Sequence, residues 1–407
     1  MTRPEPHTQR TTVNHHVRIT TAALFFALAV PAAAQDAAAP AAEATATPVN
    51  PDTEPREAFW GNEIGRPYDE TDAYTLPVLP LRLSGGFWVD NGFMRTTPGE
   101  AGKYETDQYY SQGRFVLGAA YRRDVGALFA EARAQLVALD NTTQGQYEPL
   151  VQDAFVRIGG RRWDVQAGRF LGWEPYYRGS GIERYTAEEA GAPGGASMYR
   201  VDAAVGRLDE PGQVAFHLYP TDWVALELGG VYGQDTAGNN LGVRPAVALR
   251  KAGFLFMGAY EYLNQAPQAE NVKAEFTTKG FGGRLQYTLH GVTVGVNAAK
   301  ARVDAVAING DPDGQKSLDK QSVGAFVEAE FWNNVVGAGY HVTEQEDDAG
   351  QTNEHRQAFV SYLYRLPVEG LALKGVFGYA LAEIDPGVNP YENKMTSFRI
   401  RLSYDFR

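Results

Sequence analysis

From Leu79 to the C-terminus, apolar and polar residues alternate with a period of two, the repeat of extended strands with one apolar and one polar face. The last segment shows the pattern in full. Thr396, Phe398, Ile400, Leu402, Tyr404 and Phe406 fall on one face, and Ser397, Arg399, Arg401, Ser403 and Asp405 on the other. Upstream, Leu371, Leu373, Phe377, Tyr379 and Leu381 interleave with Lys374 and Gly378, and Val323, Ala325, Val327, Ala329 and Phe331 with Ser322, Glu328 and Glu330. Ala130, Ala132, Ala134 and Leu136 interleave with Glu131, Arg133 and Gln135. A soluble half-buried strand can look like this once. Repeated along most of a chain, it reads as a wall with lipid on one side and water on the other.

Strands are predicted near 79–91, 107–121, 127–139, 150–159, 162–171, 212–219, 222–233, 241–250, 253–263, 278–289, 291–304, 320–331, 335–345, 355–365, 371–383 and 395–406. Their connections alternate. Short turns (Arg122 to Gly126, Gly160-Arg161, Pro220-Thr221, Lys251-Ala252, His290, Trp332 to Asn334, Leu366 to Gly370) alternate with longer links such as Gly92 to Thr106, Asn264 to Thr277, Ala305 to Asp319 and Glu346 to Glu354. Short periplasmic turns and longer extracellular loops are what an up-and-down membrane barrel requires. The expected fold is therefore all-β: a transmembrane antiparallel up-and-down β-barrel of about sixteen strands, with both chain ends periplasmic. An open sheet edge in lipid would leave backbone groups unpaired, so the barrel must close. A β-propeller would repeat a blade motif, and none is present.

The N-terminus reads as an address. Arg10, His15, His16 and Arg18 precede the apolar run Ile19 to Val30, and Pro31-Ala32-Ala33-Ala34-Gln35 supplies a small-residue cleavage pattern. This divides the chain into a signal peptide (1–34), an Ala/Pro-rich periplasmic leader (35–78) and the barrel (79–407), and it places the protein in the outer membrane of a Gram-negative bacterium. Composition narrows the class. Hydrophobic residues are 44% and charged residues 21%, and no later apolar run is long enough for a membrane helix. With no cysteine, thiol catalysis and Cys-based zinc sites are excluded. A net charge of −12 argues against nucleic acid as a partner. His217, His290, His341 and His355 show no metal spacing, and no Ser/His pairing suggests a hydrolase, so neither enzyme activity nor a cofactor is expected. Asn309 to Gly314 lacks the frame of a calcium loop, and the acidic stretch around Glu344, Glu346, Asp347, Asp348 and Glu354 reads as a loop tip that can share divalent ions with lipopolysaccharide.

A barrel of this size leaves an aqueous lumen unless something fills it. One connection, 172–211, is far longer than the others and rich in aromatics and mixed charge, the mark of a functional loop. Parity places Arg114, Arg133, Arg157, Arg399 and Arg401 on the water side of strands that become neighbours on closure. Strict alternation from Trp163 turns Arg169 toward lipid, unless Gly168 permits a bulge or the strand has already ended.

Export, about sixteen strands, Gly168-Arg169 closing the fifth strand and an outsized third extracellular loop together resemble the Gram-negative general porins, from about Leu79 to Phe406. The resemblance implies a water-filled channel for passive diffusion of small hydrophilic solutes and ions, built as a homotrimer. It implies that the loop 172–211 folds into the barrel as a constriction, with Glu174, Glu183, Glu188 and Glu189 facing a basic wall that includes Arg114, Arg133, Arg157, Arg169, Arg399 and Arg401. Tyr404 and Phe406 would form the assembly signal read by the barrel-assembly machinery, although Arg407 follows where the family ends on an aromatic. Outer-membrane lipid and lipopolysaccharide are the expected surroundings. Two alternatives stay open. One is an anion- or sugar-selective channel using inward aromatics such as Trp88 and Phe155. The other is a structural or surface-interaction barrel plugged by the leader.

Overall fold

The computed structural model describes residues 74–75, 81–99, 103–141, 149–170, 172–173, 212–235, 238–266, 274–307, 317–348, 350–384 and 390–406. The signal peptide, nearly all of the leader and all but the root of the loop 172–211 lie outside these residues. The described chain is made of strands: β1 (Tyr74–Thr75), β2 (Leu81–Thr97), β3 (Thr106–Val125), β4 (Leu128–Asn141), β5 (Pro149–Gly160), β6 (Trp163–Arg169), β7 (Gly212–Thr221), β8 (Val224–Asp235), β9 (Gly238–Lys251), β10 (Phe254–Ala266), β11 (Ala274–Leu289), β12 (Val292–Ala307), β13 (Leu318–Phe331), β14 (Asn334–Asp347), β15 (Thr352–Arg365), β16 (Leu371–Ile384) and β17 (Tyr391–Phe406). Each strand from β2 onward pairs antiparallel with the next, and β17 closes on β2 from Lys394↔Thr97 to Phe406↔Gly85. The result is a closed sixteen-strand up-and-down barrel.

The barrel is inside-out relative to a water-soluble protein. Along β17, Phe398, Ile400 and Leu402 are 45%, 43% and 39% exposed, whereas the intervening Arg399 and Arg401 are 4% and 7% exposed. Large apolar side chains exposed all round a molecule demand an apolar solvent. Aromatics ring both rims of this outer face. Trp163, Trp223, Phe254 and Phe331 lie near the short-turn end, and Tyr109 and Tyr232 near the long-loop end. Amphipathic rings sit at headgroup level in such positions. Phe254 and Tyr287 meet across a strand pair at 4.4 Å between centroids.

Turn chemistry explains the short end. Ala252-Gly253 and His290-Gly291 both carry positive φ at both positions (51° and 85°, 49° and 80°), the geometry of a type I′ hairpin turn. Its twist matches that of the flanking strands. The long end departs from the expected alternation at two places, one of them between β14 (ending Asp347) and β15 (starting Thr352), where the link is only 348–351, and the other between β8 and β9. β8 and β9 run on to an Asp235↔Gly238 pair, so only residues 236–237 lie between them. Gly238, Asn239 and Asn240 look like loop residues in sequence, but the ladder extends through them, because neighbouring pairing outweighs their weak strand preference.

β1 occupies a special position. β3 holds one edge of β2 through Leu81↔Tyr121, and β17 leaves the other edge at Gly85. β1 takes over that second edge with Tyr74↔Leu83 and Thr75↔Arg82.

The lipid assignment has a direct test. Phe377 lies at the middle of β16 on the outer face, and Phe377→Arg is expected to destabilise the barrel by about 2–4 kcal/mol in urea titrations of vesicle-folded protein. An unchanged midpoint would place this face outside the hydrocarbon.

Candidate functional site: the inner wall of the barrel

The site is the enclosed face, and strand register builds it. On the β17–β2 side, Arg401 grips fully buried Asp90 with two charge-assisted bonds, Nε to Oδ1 at 2.5 Å and Nη2 to Oδ2 at 2.6 Å. Arg399 adds a 3.6 Å contact to the same carboxylate. The Arg401 guanidinium also lies over the Trp88 ring at 4.0 Å, the stacked arrangement in which a planar cation meets the negative face of an aromatic. On the β4–β5 side, Arg157 donates to Glu131 at 2.7 Å with both side chains buried, and Arg157 and Arg122 flank the Phe129 ring at 5.6 and 4.4 Å. Arg133 is buried on the same inward face of β4. Buried charges are tolerated only when paired in this way.

A second centre lies on one ladder row across β6, β7 and β8, where Asp164 pairs with His217 and His217 with Glu227. His217 Nδ1 is 2.6 Å from Asp164 Oδ1, and Nε2 is 3.0 Å from Glu227 Oε2. Carboxylates only accept, so an imidazole bonded to two of them uses both nitrogens as donors, which is the inventory of an imidazolium. Tyr219 donates its hydroxyl to Asp164 Oδ2 at 2.9 Å. All four groups are essentially solvent-free.

The root of the long loop is fastened here. After β6 the chain turns inward. Phe170 N–H donates to the Gln213 side chain at 2.9 Å, and Trp173 N–H donates to Glu227 Oε1 at 2.8 Å. The Trp173 indole stacks on His217 at 5.2 Å and packs into an apolar patch formed by Tyr219, Ala225, Ala248, Leu255 and Met257. These apolar residues occupy inward positions, where water-facing groups are the rule. Trp173 accounts for them, because it removes them from water.

The expected site residues are thus distributed rather than gathered at one point. Arg399 and Arg401 meet at Asp90, and Arg157 meets Glu131, while Arg133 stands opposite Ala120, whose other neighbour is Arg82. Arg169 pairs with Ala154, an exposed position, and so falls on the outward row although it is half-buried. Gly168 just before it adopts φ +130°, and an added Cβ there would collide with the Ala154 and Phe155 backbone. The strand therefore keeps its ladder through Arg169 and turns inward immediately afterwards. The backbone of Arg114 lies between Trp88 and Leu139 in the ladder, and Phe155 meets Phe170 edge-on at 6.1 Å. Tyr404 packs against Phe87 at 5.7 Å, and Phe406 pairs with Gly85. Glu174, Glu183, Glu188 and Glu189 lie outside the described residues. Sequence reasoning missed the Asp164–His217–Glu227 row, whose members are separated by 53 and 10 residues. Parity alone could have put each on the inner face, but only register aligns them.

A closed sixteen-strand barrel with an apolar outside, a charged inside and a loop rooted on its inner wall has the architecture of the outer-membrane porins. Among solved structures it matches an anion-selective porin from Comamonas acidovorans with TM-score 0.55 at 13% identity, over 80% of this chain and 99% of that one. It matches OmpT, an outer-membrane protein of Vibrio cholerae, with TM-score 0.54 at 12% identity, over 82% and 100%. The outer-membrane channel DcaP of Acinetobacter baumannii matches with TM-score 0.52 at 11% identity, over 82% and 100%. No protein-family model matches the sequence, and no curated protein does. At these identities the likeness is one of fold.

His217→Ala would leave two buried carboxylates facing each other without their cation, and is expected to cost about 3–5 kcal/mol in urea unfolding of the vesicle-folded barrel. Adding Asp164→Asn should recover part of the loss. A His217→Ala midpoint equal to that of the parent would mean that the row is not an ionic clamp.

Proposed function

We propose that the chain is a porin-type channel of the outer membrane, passing small hydrophilic solutes and ions by diffusion. The observation that carries this reading is the combination of a closed barrel wide enough for a lumen with an inner wall of charged and hydrogen-bonding side chains. Such a wall replaces part of the hydration of a passing solute, and chemistry in the catalytic sense is not needed. His217 supports a structural rather than a catalytic role, since both of its ring nitrogens are engaged by carboxylates and neither is left to act as a base.

Selectivity in this reading comes from the arginine groups of β4, β5 and β17 acting against the acids of the long loop. The inward turn at Phe170–Trp173 favours a loop that narrows the lumen, and Glu174 follows directly on the anchored Trp173. Glu183, Glu188 and Glu189 would complete the acidic side. Trimeric assembly is part of the proposal, and one of the solved relatives, the in-vitro folded OmpT of Vibrio cholerae, is described in a trimer form. Export through a cleaved signal peptide, assembly through the Tyr404/Phe406 terminus and contact with lipopolysaccharide complete it.

Refolded protein in planar bilayers is expected to give stable conductance steps. Arg133→Gln combined with Arg399→Gln should move the reversal potential in a salt gradient toward cation preference, because two wall cations are lost while Arg401 still holds Asp90. Properly folded protein without conductance would overturn the channel reading, and an unshifted potential would remove these arginines from the solute path.

A further inference from the structure

The inner wall is not charged all the way round. Between β12 and β17, toward the long-loop end, two neighbouring ladder rows hold no carboxylate, lysine or arginine. One row runs through Ala299, Ser322, Thr343, His355, Ala382 and Asn393. The next runs through Asn297, Gly324, His341, Gln357, Ala380 and Met395. Register alone places hydroxyl, amide and imidazole groups together here, with glycine and alanine between them.

Several of these groups lack a partner. The Thr343 hydroxyl, both ends of the Gln357 amide and the Asn297 carbonyl oxygen make no hydrogen bond among the described residues. Thr343 and Gln357 are 0% exposed and Asn297 is 6% exposed. Buried polar groups are nearly always bonded, and leaving them unpaired is unfavourable. The row below supplies a different surface. The Phe326 ring lies over Gly295 and the Phe359 ring over Gly339, and a side chain at either glycine would collide with the ring above it. Glycine at these two positions lets the rings lie flat along the wall.

From this juxtaposition we propose that the β12–β17 face is a binding strip for neutral polyhydroxylated solutes, of which saccharides are the natural class. A hydroxyl both donates and accepts, which suits Thr343 and the two ends of the Gln357 amide at once. The two rows themselves carry no formal charge, in contrast to the Asp90–Arg399–Arg401 and Glu131–Arg157 groups, and buried Arg284 on β11 borders them opposite Asn297. A flat aromatic ring beside hydrogen-bonding groups matches a sugar ring, whose C–H faces are apolar and whose edge is polar, and Phe359 is the ring for this role because the Arg284 guanidinium already lies over Phe326 at 4.4 Å.

The inference rests on the channel reading, and the experiment separates the two. Full-length mature protein is reconstituted in planar bilayers, and its KCl conductance is recorded with increasing maltotriose or with a polyethylene glycol of similar hydrodynamic size. Maltotriose is expected to reduce conductance saturably. In the Thr343→Val/Gln357→Leu variant, the half-blocking concentration should rise about tenfold with KCl conductance unchanged, the effect of removing hydrogen-bond partners at a binding site. Maltotriose acting only as the polymer does, or blocking the variant as it blocks the parent, would overturn the strip and leave water as its filling. Resistance to heat in detergent checks that the variant folds, and Asn297→Leu serves as the second variant if it does not. Folded parent protein with no KCl conductance would overturn the channel reading instead. Titration calorimetry of maltotriose into the detergent-folded barrel then decides the strip independently, since no saturable heat, or the same heat from the variant, would overturn it.

Discussion

Everything in this molecule follows from one constraint: a peptide group in lipid has no water to bond, so every backbone N–H and C=O must find another peptide. The β17–β2 ladder, from Lys394↔Thr97 to Phe406↔Gly85, satisfies it for the last two edges. Once the sheet is closed, the side chains divide by parity. The outer row meets hydrocarbon, which is why Phe398, Ile400 and Leu402 are exposed without penalty, and the inner row inherits all the polarity.

The inner row then faces its own difficulty, because charges enclosed by a protein wall must be paired. Three solutions appear around the circumference. Arginine–carboxylate groups at Asp90 and Glu131 pair cations with anions. The Asp164–His217–Glu227 row uses a single cation to hold two anions, and so ties the end of β6 to β8 through Trp173. Two ladder rows between β12 and β17, from Ala299 to Asn393 and from Asn297 to Met395, do without charged side chains. Beside the second of these, Ala225, Ala248, Leu255 and Met257 make a small hydrophobic core inside the barrel. There the hydrophobic effect acts between wall and loop, although it does nothing to hold the wall together in lipid.

Fold was largely readable from sequence because a period of two is a local signal, and β17 displays it over its whole length. Boundaries were less readable where weak strand formers are drafted into the ladder, as at Gly238 to Asn240, since pairing with an existing neighbour is a tertiary effect. Gly168-Arg169 was ambiguous for the same reason. Whether the strand ends, bulges or continues depends on φ at Gly168 and on space beside Ala154, neither of which the residue types state. Individual inward arginines could be listed by parity, but which carboxylate each one meets depends on register. Asp90 with Arg401, 311 residues apart, becomes a pair only when the barrel closes. The His217 row and the neutral strip were hidden for that reason too, being properties of ladder rows that cut across the chain.

The two-residue strand β1 carries a consequence out of proportion to its size. A strand pair whose members differ in length leaves a few unbonded peptide groups at the shorter one's end, and here that end lies at the short-turn mouth of the closing seam. Such an edge is a template on which a passing extended chain can dock and begin to aggregate. By bonding to Arg82 and Leu83, Tyr74 and Thr75 stop that stretch of edge with the chain's own backbone against foreign strands. A pull on β1 is therefore delivered to the same strand, β2, on which closure of the whole cylinder depends.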